Sequence, residues 1–173
     1  MSAQFEDEDY ELCIMRHGIA EERRAGLADA KRALTPEGKE GMQKIAEGLA
    51  KTGFAPAWVV SSPYVRAAET ARVVADSFGP KIPFDFCDAL EPGGSPDSLL
   101  NFLASRPQHT HVLVVGHEPD LSLLAARLIG AGRQSNVGFK KGGCCLISFS
   151  DFPSRSPGRL LWWLTPKLLR KLA

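Results

Sequence analysis

The sequence lacks long hydrophobic segments, a marked excess of either charge, and repeats or low-complexity tracts. Its apolar runs are all shorter than the roughly 20 residues of a transmembrane helix, so we expect no membrane span. Lysine and arginine number 21 against 20 aspartate and glutamate residues, which leaves a net charge of +1. This balance gives no indication of a nucleic-acid or membrane partner, because both attract proteins that carry an excess of positive charge.

The cysteines form no metal-binding or disulfide pattern. There are four, at positions 13, 87, 144 and 145, without a C-x-x-C motif. Cys144 and Cys145 are adjacent, and adjacent side chains of a strand point to opposite faces. We therefore expect neither a zinc site nor a disulfide framework, and we interpret the cysteines as small buried side chains in a reducing compartment.

The beginning of the chain lacks the basic and apolar regions of a signal peptide, and residues 6–9 are all acidic. Together with the cysteines, this pattern predicts a cytoplasmic protein. We expect residues 1–9 to form a disordered leader. Residues 10–173 are expected to form a single domain, since a chain of this length can build one hydrophobic core.

Apolar runs alternate with segments of helical periodicity through most of this domain. The predicted strands are 11–15, 57–60, 82–86 and 111–115, and predicted helices begin near Pro36, Pro63, Pro96 and Pro119. Two further strands, 144–149 and 159–164, are predicted to form a hairpin through a turn around 156–158, and a short helix follows at 167–172. Alternating strands and helices favour a parallel sheet covered on both faces. The expected fold class is α/β, a three-layer α/β/α sandwich with a mostly parallel central sheet and an antiparallel C-terminal edge hairpin.

Three of the predicted strands end in polar residues that a buried strand does not need. The first is followed by Arg16-His17-Gly18, the second by Ser61-Ser62-Pro63 and the fourth by Gly116-His117-Glu118-Pro119. Parallel sheets carry their ligand sites just beyond the carboxyl ends of their strands. We therefore expect the three endings to meet at one edge of the sheet.

His17 and His117 are the histidines of these endings. A lone histidine is most often structural or on the surface, and we interpret His109 and His111 in that way. Two histidines that both follow buried strands at the same edge indicate a functional cluster instead, since imidazole can act as a nucleophile, an acid or a base.

Arg16 and Arg66 would add positive charge to the same edge. An exposed Arg66 paired with Glu69 or Asp76 is the simpler alternative, but the first helical turn that carries it faces the strand endings and favours an anion there. Crowded cations without matching carboxylates repel each other unless an anion joins them. Phosphate is the natural candidate, because arginine binds its oxygens with two donors.

Several blocks of the sequence, in order, resemble the motifs of the histidine phosphatase superfamily. They are Leu-Cys-Ile-Met-Arg-His-Gly at 12–18, Arg-Ala-Leu-Thr-Pro-Glu-Gly at 32–38, Ser-Ser-Pro-Tyr-Val-Arg-Ala-Ala-Glu-Thr-Ala at 61–71 and Val-Val-Gly-His-Glu-Pro at 114–119. The compact length and the Arg-x-Leu-Thr-x-x-Gly block are similar to SixA-type protein phosphohistidine phosphatases, as are the elements at 90–94 and 164–167. The resemblance covers nearly the whole chain after residue 10.

The resemblance implies a role for each residue of the cluster. His17 would be the nucleophile that takes the phosphoryl group, and Arg16, Arg66 and a protonated His117 would hold the equatorial oxygens of that group. No metal and no cofactor are implied, since fixed cations would stabilise the transferring charge.

A second set of residues is placed near the site. Gly18 and Ser62 are expected to bind the substrate. Asp29 and Arg32 lie in a region that borders the pocket in the resembled family, and a capping or salt-bridge role fits them equally well. Glu91 follows the third strand, where many superfamily members carry a catalytic carboxylate, and is either a general acid or a loop carboxylate.

These features predict a phosphatase that hydrolyses phosphohistidine on a protein through a covalent phosphohistidine intermediate. The expected partner is a phosphoprotein in signal transduction, such as a histidine-phosphotransfer domain. The alternative is a phosphomonoesterase that acts on a small phosphorylated metabolite or on phosphoserine. A non-catalytic phosphate-binding module is less favoured, because binding alone needs no nucleophile, and a metal hydrolase is disfavoured, because two histidines lack a third ligand.

Overall fold

The structure is a computed structural model that describes residues 10–132, 136–152 and 156–173. Within them the strands are β1 (Tyr10–Arg16), β2 (Trp58–Ser61), β3 (Phe84–Phe86), β4 (His111–Gly116), β5 (Cys144–Phe149) and β6 (Arg159–Leu164). The helices are α1 (Pro36–Ala50), α2 (Val65–Phe78), α3 (Pro96–Ala104), α4 (Asp120–Leu128) and α5 (Pro166–Leu172), with short 3-10 helices at Asp29–Lys31 and Asp88–Leu90.

The strands form one six-stranded sheet in the order β3-β2-β4-β1-β5-β6. The first four strands of this order are parallel to one another. β5 pairs antiparallel with β1, and β6 pairs antiparallel with β5 at the edge. The predicted mostly parallel sheet with an antiparallel C-terminal hairpin at one edge is therefore confirmed.

The two faces of the sheet pack into separate hydrophobic clusters, because successive side chains of a strand point to opposite faces. In β1, Leu12 and Ile14 belong to one cluster, and Cys13 and Met15 belong to the other. Residues of α3 and α4 complete the first cluster, and residues of α1, α2 and α5 complete the second. The three-layer arrangement predicted from the alternation of strands and helices is confirmed.

The strands that carry the polar endings reach one residue further than the apolar runs predicted. Arg16 at the end of β1 pairs directly with Gly116 at the end of β4. Ser61 at the end of β2 pairs with Val115 of β4. The ladder therefore holds the first residues of the endings in a fixed register.

Two elements begin later than predicted, because a residue before each cannot join it. β3 begins at Phe84, since Pro83 has no N–H to donate to the ladder. α2 begins at Val65, since Tyr64 still has extended backbone angles, with φ −61° and ψ 132°.

All four cysteines are buried, as predicted, and each has a free thiol in the structure. Cys144 and Cys145 lie in the clusters on opposite faces of the sheet. No helix in the described ranges is long and apolar enough to cross a membrane. The predicted leader, 1–9, and residues 153–155 of the hairpin connection lie outside the described residues.

Candidate active site

The three polar strand endings lie side by side because β2, β4 and β1 are neighbours in the sheet. Backbone hydrogen bonds continue past the strands. The N–H of His17 donates to the carbonyl of Gly116 at 3.2 Å, and the N–H of Ser62 donates to the carbonyl of Val115 at 3.0 Å. The predicted meeting of the three endings at one edge of the sheet is therefore confirmed.

His17 is held in one tautomer by its own loop. The ring is 6% exposed, and its Nδ1 lies 2.7 Å from the carbonyl oxygen of Gly18. A carbonyl oxygen can only accept, so Nδ1 carries the hydrogen and Nε2 carries a lone pair. Burial lowers the pKa of His17 to about 4. The hydrogen bond to the Gly18 carbonyl raises this pKa, and the positive charges of Arg66 and Arg16 lower it. At pH 7 the ring is neutral, and Nε2 is available as a nucleophile.

Arg66 reaches inward from the first turn of α2 and is only 3% exposed. Its Nε donates to Nε2 of His17 at 3.2 Å. Its Nη1 donates to the backbone carbonyl of Asp29 at 2.7 Å, and its Nη2 donates to Oδ2 of the same residue at 3.0 Å. Asp29 thus binds the end of the guanidinium and leaves its Nε edge directed at His17.

The carboxylate that pairs with Arg66 is that of Asp29, and not that of Glu69 or Asp76, the two partners considered from the sequence. Glu69 instead pairs with Lys39 at 2.8 Å through Oε1, and its Oε2 accepts the N–H of Leu34 at 2.6 Å. These contacts tie α2 to α1 and to Leu34, in the segment between Asp29 and α1.

Asp29 is the carboxylate of an arginine cluster. Its Oδ1 accepts from Nε of Arg32 at 2.9 Å and from Nε of Arg23 at 3.2 Å, while its Oδ2 accepts from Arg66. Burial alone would raise the pKa of Asp29, but the hydrogen bond and charge of Arg66, together with Arg32, outweigh burial and lower it. The structure shows a salt bridge between Asp29 and Arg32, and their predicted substrate-binding role stays a prediction. The expectation of a cationic cluster without a matching carboxylate is wrong, although one carboxylate among three arginines leaves an excess of positive charge.

His117 lies across from the other histidine, with the ring centroids of His17 and His117 5.2 Å apart. It is 3% exposed, and its Nε2 lies 2.9 Å from Oγ of Ser62. Burial lowers the pKa of His117 to about 3, and the neighbouring His17 ring and the charge of Arg66 contribute to this lowering. In these surroundings the ring is neutral at pH 7, and the predicted protonated His117 on a transferring phosphoryl group stays a prediction. A phosphoryl dianion between the rings would favour its protonation.

Arg16 is held by the segment that precedes β5. Its Nη1 donates to the carbonyl of Phe139 at 2.7 Å. Its Nε is buried and has no hydrogen-bond partner among the described residues. The charge of Arg16 lowers the pKa of both His17 and His117. Arg16 therefore adds a positive charge within electrostatic reach of both rings, together with an unsatisfied donor.

Comparison with known proteins identifies the family. The family model described as the histidine phosphatase superfamily (branch 1) matches residues 12–91. An uncharacterized protein of Picosynechococcus sp. (strain PCC 7002) is 32% identical over 136 residues, which cover 77% of this chain and 81% of the relative. The chain belongs to the histidine phosphatase superfamily.

Solved structures extend the likeness of this histidine phosphatase over most of its length. The protein histidine phosphatase SixA complexed with tungstate matches with a TM-score of 0.79 and 24% identity, covering 92% of this chain and 99% of that one. A protein assigned as the phosphohistidine phosphatase SixA of Nakamurella multipartitia matches with a TM-score of 0.71 and 26% identity, covering 91% and 96%. The predicted superfamily, its SixA type and the α/β fold are confirmed.

The same fold also occurs in an enzyme named for a small substrate. A mycobacterial glucosyl-3-phosphoglycerate phosphatase matches with a TM-score of 0.69 and 18% identity, covering 91% of this chain and 99% of that one. The fold alone therefore does not separate phosphohistidine from small phosphorylated metabolites as the substrate of this histidine phosphatase.

Two residues of the site, Thr70 and Tyr64, were missed by the sequence analysis. Thr70 Oγ1 accepts the N–H of Gly18 at 2.9 Å and donates to the carbonyl of Arg66 at 2.7 Å. The Tyr64 ring lies 5.1 Å from the His117 ring, edge to face, and 5.0 Å from the guanidinium carbon of Arg66. Thr70 lies four positions after Arg66 on the same helix, so helical spacing was the signal that could have found it, whereas Tyr64 lies before the helix and had no such signal.

Gly18 acts through its backbone, because its carbonyl orients His17 and its N–H bonds to Thr70. A Cβ at this position would lie 2.7 Å from Cγ of Met42 in α1. Only glycine lets the loop pass this closely to the helix. The predicted substrate-binding roles of Gly18 and Ser62 stay predictions.

Neither Glu91 nor Glu118 has a hydrogen bond to a histidine among the contacts of the described residues. Glu91 follows a 3-10 helix, where its N–H donates to the carbonyl of Asp88 and its carbonyl accepts from the N–H of Gly94, both at 2.9 Å. Glu118 accepts a hydrogen bond from Ser122 with Oε2, and its Oε1 is buried without a partner among the described residues. The role of Glu91 as a general acid stays a prediction. Within the described ranges, no three His, Cys, Asp or Glu side chains are grouped so that they could hold a metal ion.

Proposed function

We propose that this histidine phosphatase hydrolyses phosphohistidine on a protein substrate, with His17 as the residue that takes the phosphoryl group. The observation that carries the proposal is the tautomer of His17. Its Nδ1–H is bonded to the carbonyl of Gly18 at 2.7 Å, so Nε2 carries the lone pair, which accepts a hydrogen bond from Nε of Arg66 at 3.2 Å. This arrangement favours catalysis over phosphate binding alone, because a binding module needs no oriented nucleophile.

The reaction would proceed in two displacements at phosphorus. In the first, Nε2 of His17 attacks, an N–P bond forms, and the leaving group departs with the electron pair of its bond to phosphorus. In the second, water attacks, the N–P bond breaks, its electron pair returns to Nε2, and phosphate is released. Arg16, Arg66 and His117 would hold the equatorial oxygens and stabilise their charge in both steps.

Phosphohistidine suits this site because it needs little acid catalysis. The imidazole leaving group is a weak base, since the pKa of its protonated form is about 6.5, whereas an alkoxide leaving group needs a proton from an acid. Such general acid catalysis increases the reaction rate by roughly 10²–10⁴-fold. Asp29, the carboxylate bonded to Arg66, has a lowered pKa and is ionised at pH 7, so it supplies no proton.

The test compares turnover of a phosphohistidine peptide with turnover of a phosphoserine peptide, a sugar phosphate and a nucleotide. We expect the highest kcat/KM for phosphohistidine, together with base-stable, acid-labile phosphate on the quenched protein. A protein that binds phosphate but turns over none of these substrates would contradict the proposal.

Glu91→Gln and Glu118→Gln decide between the proposal and the metabolite alternative. Neither substitution should change phosphohistidine turnover more than about threefold, since that leaving group needs no strong acid. Glu47→Gln, at an exposed position of α1, is the matched control. If the wild-type protein prefers a small phosphoester and one of the two substitutions removes that activity, the metabolite alternative replaces the proposal.

The proposed mechanism needs no metal ion, because arginines supply the positive charge that a metal would supply. Turnover should be unchanged after treatment with EDTA. A loss of about tenfold or more that zinc or magnesium restores would contradict the mechanism, since metal-dependent hydrolases lose that much or more without their ion.

We further propose a cytoplasmic protein that acts in signal transduction on a phosphoprotein such as a histidine-phosphotransfer domain. The four free, buried cysteines support a reducing compartment. The phosphorylated domain should be hydrolysed with a higher kcat/KM than a phosphohistidine peptide of the same sequence. Equal values would indicate that the enzyme recognises the phosphorylated side chain without the partner protein.

A further inference from the structure

The two nitrogens of the His117 ring have unlike surroundings. Nε2 lies 2.9 Å from the hydroxyl oxygen of Ser62. Nδ1 is buried and has no hydrogen-bond partner among the described residues. The ring faces His17 at a centroid distance of 5.2 Å. One nitrogen is thus occupied by the protein, and the other is left for a group that enters the site.

The Ser62 hydroxyl is held by its own loop. The backbone N–H of Ser62 donates to the carbonyl of Val115, and its carbonyl accepts from the hydroxyl of Ser61 at 2.8 Å. Its Oγ also accepts the N–H of Tyr64 at 3.3 Å. Because that bond uses a lone pair of Oγ, the hydroxyl hydrogen is free to be donated to Nε2 of His117.

The two neutral tautomers of His117 differ in how many buried hydrogen-bonding groups they leave without a partner. With hydrogen on Nε2, the ring would donate to Ser62, and both the Ser62 hydroxyl hydrogen and the Nδ1 lone pair would lack partners. With hydrogen on Nδ1, Ser62 donates to Nε2, and only the Nδ1–H lacks a partner. Unpaired buried polar groups are costly, so the second arrangement is favoured.

We propose that Ser62 is a positioning residue that fixes His117 as the Nδ1–H tautomer, so that the neutral ring presents a hydrogen-bond donor to the phosphoryl oxygens. This inference rests on the proposed function for the identity of the group that receives the Nδ1–H. The tautomer itself rests on Ser62, Tyr64 and the burial of Nδ1. The geometry therefore gives His117 a donating role without requiring it to be cationic.

A hydroxyl serves this purpose where a carboxylate would not. A carboxylate at Nε2 would only accept, and it would place the hydrogen on Nε2 and the Nδ1 lone pair toward the phosphoryl oxygens, where the two would repel. A hydroxyl donates to the neutral ring. It can also rotate to accept from Nε2–H if the ring takes up a second proton in the presence of a dianion, so the bond between Ser62 and His117 is kept in both states.

The first test reads the tautomer directly. Nitrogen-15 NMR of histidine-labelled protein at pH 7, with resonances assigned through His117→Gln, should show hydrogen on Nδ1 and an unprotonated Nε2 for His117. Ser62→Ala should move His117 toward Nε2–H or a mixture of tautomers. The resonances of His17 should stay those of Nδ1–H, because Gly18 holds that ring. A wild-type His117 with hydrogen on Nε2, or an unchanged tautomer in Ser62→Ala, would overturn the proposal.

The second test measures the consequence for the phosphoryl group. Ser62→Ala should lower kcat by about 10- to 100-fold, the size expected for losing one well-oriented hydrogen bond to a charged group. Ser62→Thr, which keeps the hydroxyl, should recover most of that loss. Ser148→Ala, a buried serine of β5 at the far end of the β1 pairing, is the matched control for packing. A purely structural role for Ser62 would give equal losses for Ser62→Ala and Ser62→Thr.

These experiments keep the two proposals separate. If the wild-type protein turns over no phosphorylated substrate, the proposed function fails, and the tautomer is still decided by the spectrum. Titration with inorganic phosphate then shows whether the Nδ1 resonance of His117 shifts on binding, as the proposal requires. If Ser62→Ala does not fold, the wild-type spectrum and the Ser62→Thr variant decide the matter.

Discussion

His17 and His117 stand at the ends of neighbouring parallel strands and share burial, neutrality and a lowered pKa, but the protein holds them in different ways. The Nδ1 of His17 bonds to the carbonyl of Gly18, the next residue in the chain, at 2.7 Å. The Nε2 of His117 bonds to the hydroxyl of Ser62, 55 positions away, at 2.9 Å. A backbone carbonyl can only accept, so it leaves His17 with a lone pair on Nε2, whereas a hydroxyl that donates leaves His117 with a hydrogen on Nδ1.

This difference gives similar rings opposite roles. In the proposed mechanism the nitrogen of His17 beside Arg66 attacks phosphorus, and the nitrogen of His117 that lacks a protein partner donates to the phosphoryl oxygens. Burial keeps both rings neutral at pH 7. The identity of the atom that each ring bonds, rather than the type of residue, therefore separates attack on phosphorus from binding of its oxygens.

The largest expected effect comes from removing each of the two histidines by mutation. His17→Ala should lower turnover by roughly 10⁴-fold or more and abolish phosphate labelling of the protein, because the nucleophile is lost. His117→Ala should slow turnover by roughly 10²- to 10³-fold, the usual cost of one donor to a developing charge, and still allow slow labelling. Rapid quench with labelled phosphohistidine peptide measures both.

His111→Ala, at the other end of β4, is the control for removing a histidine and should retain labelling. Phosphate trapped on His117 rather than on His17 would reverse the assignment.

The lowered pKa values of the two histidine rings predict that the stability of the fold depends on pH. Their folded pKa values of about 4 and 3 lie below the value of about 6.5 for an unfolded histidine. Between these values the unfolded chain takes up protons that the folded site refuses, so stability falls as the pH drops below about 6.5. Each ring should remove roughly 1.5 kcal/mol of unfolding free energy between pH 6.5 and 5.0.

Urea unfolding at the two pH values measures this effect, and the double variant His17→Asn, His117→Gln should lack it. Equal pH dependence in the double variant and the wild-type protein would show that other groups cause the loss.

A smaller loss of activity is expected when Asp29, which holds Arg66 beside His17, is substituted. Asp29→Asn removes the negative charge that holds the end of Arg66, so the guanidinium loses its fixed orientation toward His17. We expect kcat to fall by about tenfold, with less change in KM, as for the weakening of one charged hydrogen bond. Steady-state kinetics measure this, and Asp97→Asn, in an exposed pair with Arg127, is the matched control. An unchanged kcat would show that Arg66 is positioned without Asp29.

The smallest effect is expected at the outer edge of the arginine cluster. Arg23 also bonds Asp29, but its side chain is 81% exposed, compared with 14% for that of Arg32. Arg23→Ala should change the free energy of unfolding by less than about 0.5 kcal/mol, since exposed ion pairs contribute little. Arg32→Ala should be the more damaging of the two in thermal unfolding and in turnover, and the reverse order would contradict this reading of the cluster.

Features that depend on the order and periodicity of residues along the chain were predictable from the sequence. The apolar runs predicted all six strands, and the prolines predicted where the helices begin to within two residues. It also placed His17, His117 and Arg66 at one edge, because parallel strands end there. It did not predict the contact between Asp29 and Arg66, which are 37 positions apart, or the lowering of the pKa of His117 by burial.

By itself the sequence determined the α/β architecture, the strand endings and the set of residues available for phosphoryl transfer, because hydrophobic periodicity and the strand-end motifs are local properties of the chain. Only the tertiary structure decided which carboxylate holds Arg66 and which nitrogen of His117 bonds to Ser62. Hydrogen bonds depend on distances of about 3 Å between atoms from distant parts of the chain. Such distances exist only once the strands are in register and the helices are packed against them, and burial at that stage sets the charge of both histidines.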